Sequence, residues 1–373
     1  MLRVLNVVGA RPNFMKVAPI HRLMQQSSAD FEPMLVHTGQ HYDVKMSKLF
    51  FEDLQMPQPD VYLGVGSGSH AVQTAKVIIE FEKVCLEHKP DLVLVVGDVN
   101  STAACSIVAS KLWIPVAHVE AGLRSFDRKM PEEINRIITD SLSEYLFIHE
   151  KSGETNLLKE GIDKSKIYFV GNVMIDSLAY LLEKSDESDI LNRLQVRAGD
   201  FVLVTLHRPS NVDDEQNFRK ILDAFEVVQR DIPIIFPIHP RSMKNIKTFG
   251  LEERVSKLKN LKLLEPLGYL DFIHLEKTCK FVITDSGGIQ EETTYLGIPC
   301  LTVRENTERP VTAEIGTNEV VGTDTEKIIQ SSQKILANRW KKGQIPKFWD
   351  GQAAERIVEI LKEGNKLIKG IRK

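Results

Sequence analysis

The sequence predicts an α/β protein of two domains, each built around a parallel β-sheet. Short apolar segments alternate with amphipathic helical segments along the chain, which is typical of parallel βαβ units. With 373 residues, the chain is long enough for two hydrophobic cores. Doubly wound sheets bind ligands at the carboxyl ends of their strands, so two similar halves indicate a ligand cleft between the domains.

The strands predicted in the first half are 4–8, 34–37, 92–96, 115–119, 145–148 and 167–170. Those predicted in the second half are 201–206, 234–238, 262–264, 281–284 and 299–303. The N-terminal domain is predicted to cover residues 1–171, because Gly171 and Asn172 end its sheet, and the C-terminal domain to cover residues 172–355. The amphipathic, then basic, segment 356–373 is predicted to return as a helix to the N-terminal domain.

Composition and charge exclude several classes of protein. Hydrophobic residues make up 42% of the chain and charged residues 27%, which predicts a soluble globular protein. A net charge of −3 argues against binding to nucleic acid or to anionic membranes. The strand at 4–8 leaves no room for a signal peptide, and no apolar run approaches the roughly 20 residues that span a bilayer. We therefore expect a cytoplasmic enzyme, with its isolated cysteines reduced in the cores.

The first candidate site follows the first predicted strand. Here Gly9 ends the strand and Pro12 suits the first turn of a helix, so that Arg11 and Lys16 can reach one anionic group. The alternative is that both cations are merely solvated. The segment lacks the G-x-G-x-x-G fingerprint, which argues against a bound NAD.

Carboxylates form the second candidate site. Asp98 follows the strand 92–96, Glu120 closes the next strand, and Glu132 opens a helix after Pro131. Three carboxylates near one cleft suit acid–base chemistry on a sugar. The alternative is that Asp98 is the N-cap of the following helix and that the others are caps or surface acids.

A histidine and an arginine follow the strand 201–206. His207 can donate a proton to the leaving oxygen of a diphosphate, and Arg208 can bind its charge. The alternative is a structural His207 bonded to a neighbouring carbonyl. His239 is a weaker candidate of the same kind for substrate binding. No clustered His or Cys pattern indicates a metal.

The segment after the strand 281–284 predicts a nucleotide site. Gly287 and Gly288 allow the backbone to approach a ligand closely, and the N–H groups of the helix that follows favour a phosphate. Glu292 lies one turn into that helix, in reach of a ribose hydroxyl. The alternative is an ordinary loop capped by Ser286.

Along nearly its whole length, the chain resembles the non-hydrolysing UDP-N-acetylglucosamine 2-epimerases. The matching motifs are Gly-Ala-Arg-Pro at 9–12, Gly-Asp at 97–98, His-Val-Glu-Ala-Gly-Leu-Arg at 118–124, Pro-Glu-Glu at 131–133, Asp-Ser-Gly-Gly-Ile-Gln-Glu-Glu at 285–292 and Thr-Glu-Arg-Pro at 307–310. The resemblance implies a GT-B-like fold of two Rossmann-like domains and a homodimer. It also implies that UDP-GlcNAc and UDP-ManNAc are interconverted without a cofactor.

The resemblance implies roles for single residues as well. The implied catalytic group is Asp98, Glu120, Glu132 and His207. The implied substrate contacts are Arg11 and Lys16 at the N-terminus, Ser286, Gly287, Gly288, Glu292 and Arg309 at the diphosphate and ribose, and Phe272 near the uracil.

Some positions depart from the family's pattern. Leu267 stands where a glutamine contacts the uracil, and Pro209 stands where allosteric members carry a second arginine, although their Gln-His motif is present at 40–41. We therefore expect no activation by a second UDP-GlcNAc. The segment 125–130 is similar to that of relatives acting on UDP-2,3-diacetamido-glucuronate, so the substituents at C3 and C6 of the sugar stay open.

The implied chemistry accounts for the carboxylates. Departure of UDP builds positive charge at C1 and acidifies the C2 hydrogen, so that a carboxylate can remove it and leave 2-acetamidoglucal. Re-addition of UDP, with a proton on the other face, then inverts C2. A GT-B glycosyltransferase and a non-catalytic UDP-sugar sensor are the alternatives, and three carboxylates favour the epimerase over both.

Overall fold

The computed structural model describes residues 1–39 and 56–371, without the side chains of residues 11 and 365–371. The chain forms two compact units. The first comprises Met1–Ala179 together with Lys347–Lys373, and the second comprises Tyr180–Pro346. The chain thus passes from one unit to the other after Ala179 and after Pro346, where the sequence predicted these passages after residues 171 and 355.

The first unit contains a parallel sheet of seven strands in the order β3-β2-β1-β4-β5-β6-β7. The strands are β1 (Leu2–Val8), β2 (Phe31–His37), β3 (Val61–Tyr62), β4 (Leu92–Val96), β5 (Val116–Val119), β6 (Tyr145–Ile148) and β7 (Ile167–Phe169). The central strands are apolar at nearly every position because both faces of a parallel sheet are covered by helices.

The described helices of this part of the chain are α1 (Arg11–Gln26), α2 (His70–His88), α3 (Asn100–Lys111), α4 (Pro131–Leu142), α5 (Lys151–Lys159), α6 (Val173–Leu182) and the C-terminal α16 (Ala353–Ile371). Short 3-10 helices cover Lys164–Lys166 in the first unit and Lys184–Glu187 at the start of the second.

The second unit contains a parallel sheet of six strands in the order β10-β9-β8-β11-β12-β13. Its strands are β8 (Val202–Thr205), β9 (Ile234–Pro237), β10 (Leu261–Leu264), β11 (Phe281–Thr284), β12 (Cys300–Thr302) and β13 (Asn318–Val320). Its helices are α7 (Ile190–Leu194), α8 (Pro209–Val212), α9 (Glu215–Val228), α10 (Pro240–Thr248), α11 (Glu252–Ser256), α12 (Tyr269–Thr278), α13 (Gly287–Leu296), α14 (Pro310–Glu314) and α15 (Thr325–Leu336).

Both sheets have the strand order of a Rossmann fold. In each, the chain starts at a central strand, builds outwards to one edge, and then returns to the other side of that first strand. The order reverses between β1 and β4 in the first unit and between β8 and β11 in the second. Ligands of such sheets bind at the carboxyl ends of the strands that flank this reversal. The prediction of two Rossmann-like parallel sheets is confirmed, and the predicted cleft between them stays a prediction.

The C-terminal helix α16 is anchored to the first unit at its start. The carboxylate of Asp176, in α6, accepts hydrogen bonds from the backbone N–H groups of Ala353 at 3.1 Å and Ala354 at 2.7 Å. Burial raises the pKa of Asp176 to about 6. Further along, Lys362 forms an ion pair with Asp30, and the helix packs against α1.

The segment that precedes α16 also packs closely against the first unit. Gly171 has φ of +91°, and a Cβ there would lie 1.9 Å from the carbonyl oxygen of Phe348, so only glycine fits. The indole of Trp349 is buried and donates from Nε1 to the carbonyl of His149 at 3.0 Å. The first unit is therefore completed by residues from the far end of the chain.

Among the residues that the structure describes, no helix combines the length and the apolar character that crossing a membrane requires.

Candidate functional site

A buried ion pair lies at the carboxyl end of β5 in the first unit. Glu120 follows that strand directly, and the ammonium Nζ of Lys16, on α1, contacts its Oε2 atom. Both side chains are more than nine-tenths buried. Glu120 has φ of +74°, a conformation that residues with side chains rarely adopt and that is concentrated at functional sites. The pair gives the carboxylate of Glu120 a fixed position, as proton transfer requires.

Asp98 lies at the end of the neighbouring strand β4. Its Oδ2 accepts a hydrogen bond of 2.5 Å from Nη2 of Arg136, a buried residue of α4. The helix after Asp98 has Val99 at its N-cap position and no side-chain cap, so the alternative in which Asp98 caps that helix is wrong. The carboxylate is 26% exposed, and a ligand can reach it.

Glu132 and Glu133 both lie in the first turn of α4, in different environments. Glu133 is buried and accepts hydrogen bonds from the backbone N–H groups of Ser125 at 2.9 Å and Phe126 at 3.1 Å, and from Nη1 of Arg136 at 3.1 Å. It therefore holds the loop before the helix. Glu132 is half-buried and has no hydrogen bond or ion pair to the residues that the structure describes. Of the two, Glu132 is the one whose carboxylate is available to a ligand.

A buried chain of hydrogen bonds supports the turn before Asp98. His118 is fully buried, with Nε2 2.8 Å from the carbonyl oxygen of Gly97 and Nδ1 2.7 Å from Oδ1 of Asp140. Arg124 lies 2.7 Å from the other oxygen of Asp140. Burial by itself would raise the pKa of Asp140, but His118 and Arg124 hold it below its ordinary value. These hydrogen bonds connect the turn before Asp98 to helix α4.

In the second unit, Asp285 binds the backbone of His207 and Arg208, the two residues that follow β8 closely. Asp285 is fully buried, and its carboxylate accepts from the backbone N–H groups of His207, at 3.0 and 3.1 Å, and of Arg208, at 2.9 Å. Its Oδ1 also lies 3.0 Å from Nδ1 of His207. Burial would raise the pKa of Asp285, but the hydrogen bond and charge of His207 hold it below its ordinary value.

These contacts decide the state of His207. Because an ionised carboxylate only accepts, Nδ1 of His207 carries the hydrogen, and Nε2 is left for a ligand. The imidazole is 44% exposed. The alternative in which His207 is bonded to a neighbouring carbonyl is wrong, since its partner is the carboxylate of Asp285.

His239 lies near His207, with the ring centroids 6.0 Å apart. Its Nδ1 accepts from the backbone N–H of Arg241 at 3.1 Å, so it caps helix α10. Nε of Arg208 donates to the carbonyl of Asp285 at 3.2 Å, which holds the guanidinium beside the same turn.

The start of helix α13 is shaped for an anion. Ser286 occupies its N-cap position, but its side chain makes no capping hydrogen bond, so the alternative of an ordinary loop capped by Ser286 is wrong. A Cβ on Gly287 would lie 2.5 Å from Nη1 of Arg309, so the absence of a side chain there admits the guanidinium. Nε of Arg309 donates to Glu291 at 2.8 Å. Helix N–H groups and an arginine thus meet at one turn.

Glu308 joins three arginines of the second unit. It is buried and accepts two hydrogen bonds of 2.8 Å from Arg304, while Arg309 lies 3.6 Å and Arg208 3.9 Å away. Burial would raise the pKa of Glu308, but the arginines, Arg304 foremost, hold it well below its ordinary value. The guanidinium groups are thereby positioned before an anion arrives, which lowers the cost of reorganisation on binding.

The predicted ribose and uracil residues lie on adjacent helices of the second unit. Glu292 is buried in α13, and its Oε1 accepts a hydrogen bond of 2.7 Å from the hydroxyl of Tyr269 in α12. Phe272 and Leu267 are half-buried and pack on the apolar core between α12 and the sheet.

The predicted site residues thus form one group in each unit. The first unit holds Lys16, Asp98, Glu120 and Glu132, and the second holds His207, Arg208, His239, Phe272, Ser286, Gly287, Gly288, Glu292 and Arg309. The side chain of Arg11, as well as residues 40 and 41, lie outside the described residues.

Four residues with important contacts were not predicted as part of the site: Arg136, Asp285, Arg304 and Glu308. One signal was available for Asp285, which follows an apolar strand just as Asp98 does. Arg136 gave no such signal because its partner Asp98 is distant in the chain. Arg304 looks like an ordinary solvated arginine in the sequence, and its partner Glu308 like an ordinary surface acid.

Comparison with known proteins gives concordant results. The family model described as UDP-N-acetylglucosamine 2-epimerase matches residues 23–362. The UDP-N-acetylglucosamine 2-epimerase of Methanocaldococcus jannaschii is 46% identical, over 96% of this chain and 98% of that protein. The UDP-2,3-diacetamido-2,3-dideoxy-D-glucuronate 2-epimerase of Pseudomonas aeruginosa is 39% identical, over 96% of this chain and 99% of that protein. A crystal structure of the Methanocaldococcus jannaschii UDP-GlcNAc 2-epimerase in complex with UDP-GlcNAc and UDP superimposes with a TM-score of 0.89 and 43% identity, covering 97% of this chain and 100% of that one.

Proposed function

The chain belongs to the UDP-N-acetylglucosamine 2-epimerase family, and from that premise we propose that it interconverts UDP-GlcNAc and UDP-ManNAc. The reaction is an isomerisation at C2 of the sugar. The carboxylates of the first unit carry out the proton transfers, and the second unit binds the UDP.

The observation that carries the proposal is the set of carboxylates at the ends of β4 and β5. Glu120 is held by Lys16, Asp98 is held by Arg136, and Glu132 begins the helix that supplies Arg136. Proton removal and return on two faces of a sugar require more than one acid–base group, and these groups must keep their positions. A protein that only bound a UDP-sugar would have no use for them.

The proposed mechanism is elimination followed by re-addition. As the bond between C1 and the diphosphate oxygen breaks, positive charge develops at C1 and the hydrogen on C2 becomes acidic. A carboxylate of the first unit takes that proton, the C1–C2 double bond of 2-acetamidoglucal forms, and UDP leaves with the bonding electrons. Addition of UDP to C1 and of a proton to the opposite face of C2 gives the epimer. The steps need no redox cofactor and no metal.

The second unit supplies what the departing diphosphate needs. The N–H groups at the start of α13 and the guanidinium of Arg309 suit its negative charge. With Nδ1 of His207 on Asp285, Nε2 is left for the ligand, and when the ring is protonated Nε2 donates its hydrogen to the leaving oxygen. Glu292 is proposed to bind the ribose hydroxyls, and Phe272 to lie beside the uracil.

The test is proton NMR of UDP-GlcNAc with the purified protein in D2O. We expect UDP-ManNAc to appear, and the C2 hydrogen of both sugars to be replaced by deuterium, after dialysis against a chelator and without added NAD. A glycosyltransferase given no acceptor would leave the sugar unchanged. Turnover in which C2 keeps its original hydrogen would rule out the elimination mechanism.

A second substrate is favoured by one comparison. The Pseudomonas aeruginosa relative acts, by its name, on UDP-2,3-diacetamido-2,3-dideoxy-D-glucuronate. The same C2 chemistry on that substrate is the alternative. Competition between the two UDP-sugars in one reaction, followed by NMR, gives the ratio of their kcat/KM values and decides between them.

We further propose that the enzyme is a homodimer formed through helix α2. Val72, Ile79 and Leu86 are spaced seven residues apart on that helix and are 48%, 55% and 58% exposed. Trp113, which follows the neighbouring helix α3, is 92% exposed. Apolar side chains grouped in this way on a surface mark an interface, and seven-residue spacing matches the packing of one helix on another.

Light scattering after size exclusion tests the homodimer. We expect the wild-type protein to run at twice the mass of one chain, and Ile79→Glu to run as a monomer. Leu158→Glu, the same kind of change at an exposed leucine of α5, serves as the control. A wild-type protein that is monomeric at micromolar concentration would contradict the proposal.

A further inference from the structure

His118 lies between two oxygen atoms that accept hydrogen bonds. Its ring is fully buried on β5, two residues before Glu120. Nε2 lies 2.8 Å from the carbonyl oxygen of Gly97, and Nδ1 lies 2.7 Å from Oδ1 of Asp140, on α4. A backbone carbonyl has no hydrogen to donate, so the bond to Gly97 requires a hydrogen on Nε2.

Asp140 is also an acceptor, because its carboxylate is ionised. Nη2 of Arg124 lies 2.7 Å from its Oδ2 atom, and the backbone N–H of Gly122 donates to the same atom at 3.2 Å. A guanidinium at this distance favours the charged form of an acid. Burial would raise the pKa of Asp140, but His118 and Arg124 hold it below its ordinary value. An ionised carboxylate only accepts, so Nδ1 of His118 carries a hydrogen as well, and the ring is an imidazolium.

The carbonyl that this imidazolium binds belongs to the turn that carries Asp98. It lies in the same planar peptide as the nitrogen of Asp98, so the bond to His118 fixes the point from which the Asp98 side chain projects. The same turn touches the ion pair at the end of β5. A Cβ on Gly97 would lie 3.3 Å from Oε2 of Glu120 and 3.3 Å from Nζ of Lys16. The position of Gly97 therefore bears on both acid–base carboxylates.

Helix α4 holds Asp98 in a second way. Asp140 lies four residues after Arg136, so the two side chains leave the same face of that helix. Arg136 binds the carboxylate of Asp98 at 2.5 Å, while Asp140 reaches the main chain before it through His118. The main chain and the side chain of Asp98 are thus connected to one helix.

We propose that His118 is a positioning residue for the proton transfers, a buried imidazolium that bridges Asp140 and the carbonyl of Gly97 and so fixes the main chain of Asp98. The inference rests on the proposed function, because it takes Asp98 as a group that reacts at C2 of the sugar. The bond to Gly97 is the one that turnover requires, and the ion pair with Asp140 keeps the ring charged and oriented.

Nitrogen NMR of the enzyme labelled with 15N-histidine tests the charge of the ring. The signals of His118 are identified by their loss in a variant of that residue. We expect both ring nitrogens of His118 to carry a hydrogen at pH 7. A wild-type ring with only one protonated nitrogen would overturn the inference, and this measurement decides the matter even if neither variant described below folds.

Two variants separate the bond to Gly97 from the ion pair. Glutamine places its amide nitrogen near the position of Nε2, and asparagine places its own near that of Nδ1. His118→Gln therefore keeps a donor for Gly97 and His118→Asn keeps one for Asp140, while both lose the charge. We expect kcat for UDP-GlcNAc to fall by less than roughly tenfold in His118→Gln and by roughly 100-fold in His118→Asn, because a displaced Asp98 no longer reaches the reacting atom. Calorimetry should show the same UDP affinity in both.

The order of the two variants is the deciding result. A role confined to the ion pair would make His118→Asn the more active and the more stable in thermal unfolding, since it keeps the contact with Asp140. Turnover by His118→Asn that equals or exceeds that of His118→Gln would overturn the inference alone. A wild-type enzyme that leaves UDP-GlcNAc unchanged would overturn the proposed function, and the inference with it.

Discussion

The two units share a strand order but use carboxylates in opposite ways. In the first unit, cations support carboxylates: Lys16 holds Glu120, and Arg136 holds Asp98. In the second unit, buried carboxylates support the groups that face a ligand, as Asp285 does for His207. Glu308 does the same for its arginines. The four carboxylates follow equivalent strands of the two sheets: Asp98 and Asp285 follow β4 and β11, and Glu120 and Glu308 follow β5 and β12.

The difference follows from which group reacts or binds. Arg136 is buried whereas Asp98 stays reachable for acid–base chemistry, and Lys16 and Glu120 are both buried. A group that binds a diphosphate must present positive charge or N–H donors, so the buried member is the carboxylate. The same strand order therefore supports acid–base carboxylates in the first unit and anion-binding groups in the second, because residues of different charge follow the strands.

The largest effect is expected where the first unit loses an exposed carboxylate. Asp98→Asn keeps the shape of the side chain but removes its charge, and we expect kcat to fall roughly 10³-fold with little change in UDP affinity. Steady-state rates and calorimetry measure the two quantities. Glu144→Gln, at an exposed acid that pairs with Lys166, is the control. Near-normal turnover of Asp98→Asn would make that carboxylate a structural partner of Arg136.

In the second unit, removal of a supporting carboxylate is expected to affect stability first. Glu308→Gln leaves Arg304 without its charged partner, and we expect a loss of about 3 kcal/mol in the free energy of unfolding at pH 7. Because the folded pKa of Glu308 lies below its ordinary value of 4.5, its contribution is full above that value and declines as the pH falls below it. Urea unfolding measures the gap in the free energy of unfolding between the wild-type protein and Glu308→Gln. This gap should be the same at pH 7 and pH 5 and smaller at pH 4. A gap that widens at pH 4 would contradict this account.

The carboxylate behind His207 should affect catalysis as well. In Asp285→Asn, the side chain of residue 285 offers an amide in place of a pure acceptor, so Nδ1 of His207 no longer needs to carry the hydrogen. We expect kcat to fall roughly 100-fold. Asp214→Asn, the same change at the exposed N-cap of α9, is the matched control and should change kcat little. Equal losses in the two variants would show that the site depends on general packing instead.

A smaller effect is expected at the anion-binding turn itself. Arg309→Ala and Glu292→Ala should each weaken UDP binding by roughly tenfold, and kcat should fall less than in Asp98→Asn. Calorimetry should also compare UDP with UMP, which lacks the second phosphate. Arg309→Ala should reduce the difference in affinity between the two nucleotides, and Glu292→Ala should not. The reverse pattern would exchange the proposed roles of these residues.

We expect a trace of UDP-GlcNAc to leave the rate of the reaction from UDP-ManNAc unchanged. Cooperativity needs a second site with contacts of its own, and the resemblance to the family implies that Pro209 stands where allosteric members have a second arginine. Rates should therefore depend roughly hyperbolically on UDP-GlcNAc, and the reverse reaction from UDP-ManNAc should proceed without a lag. A lag that a trace of UDP-GlcNAc abolishes would show that an activator site exists.

Much of the fold was predictable because most of its strands are apolar runs. The predicted strands all occur, whereas β3, which has two residues, and β13, which contains Asn318 and Glu319, were missed. Such strands are too short or too polar to show a pattern, and their existence depends on pairing with β2 and β12.

The site was less predictable than the fold, and for a different reason. Position after a strand suggested Asp98, Glu120 and His207, because the strand ends of a parallel sheet converge. Sequence does not show which acid of a pair turns inward, as Glu133 does and Glu132 does not. It also does not show which acid accepts hydrogen bonds from a loop far away in the chain, as Asp285 does from residues 207 and 208.

The way the first unit is closed has a consequence during synthesis on the ribosome. Residues 180–346 emerge before Trp349 and helix α16, and they include every strand of the second sheet. The second unit can therefore fold while the nascent chain is still growing, whereas the first waits for the segment that fills its surface beside Gly171 and receives the cap from Asp176. A chain that stalled or was cut before Lys347 would present a folded nucleotide-binding unit joined to an incomplete catalytic one, with the apolar face that α16 covers left open to chaperones and proteases.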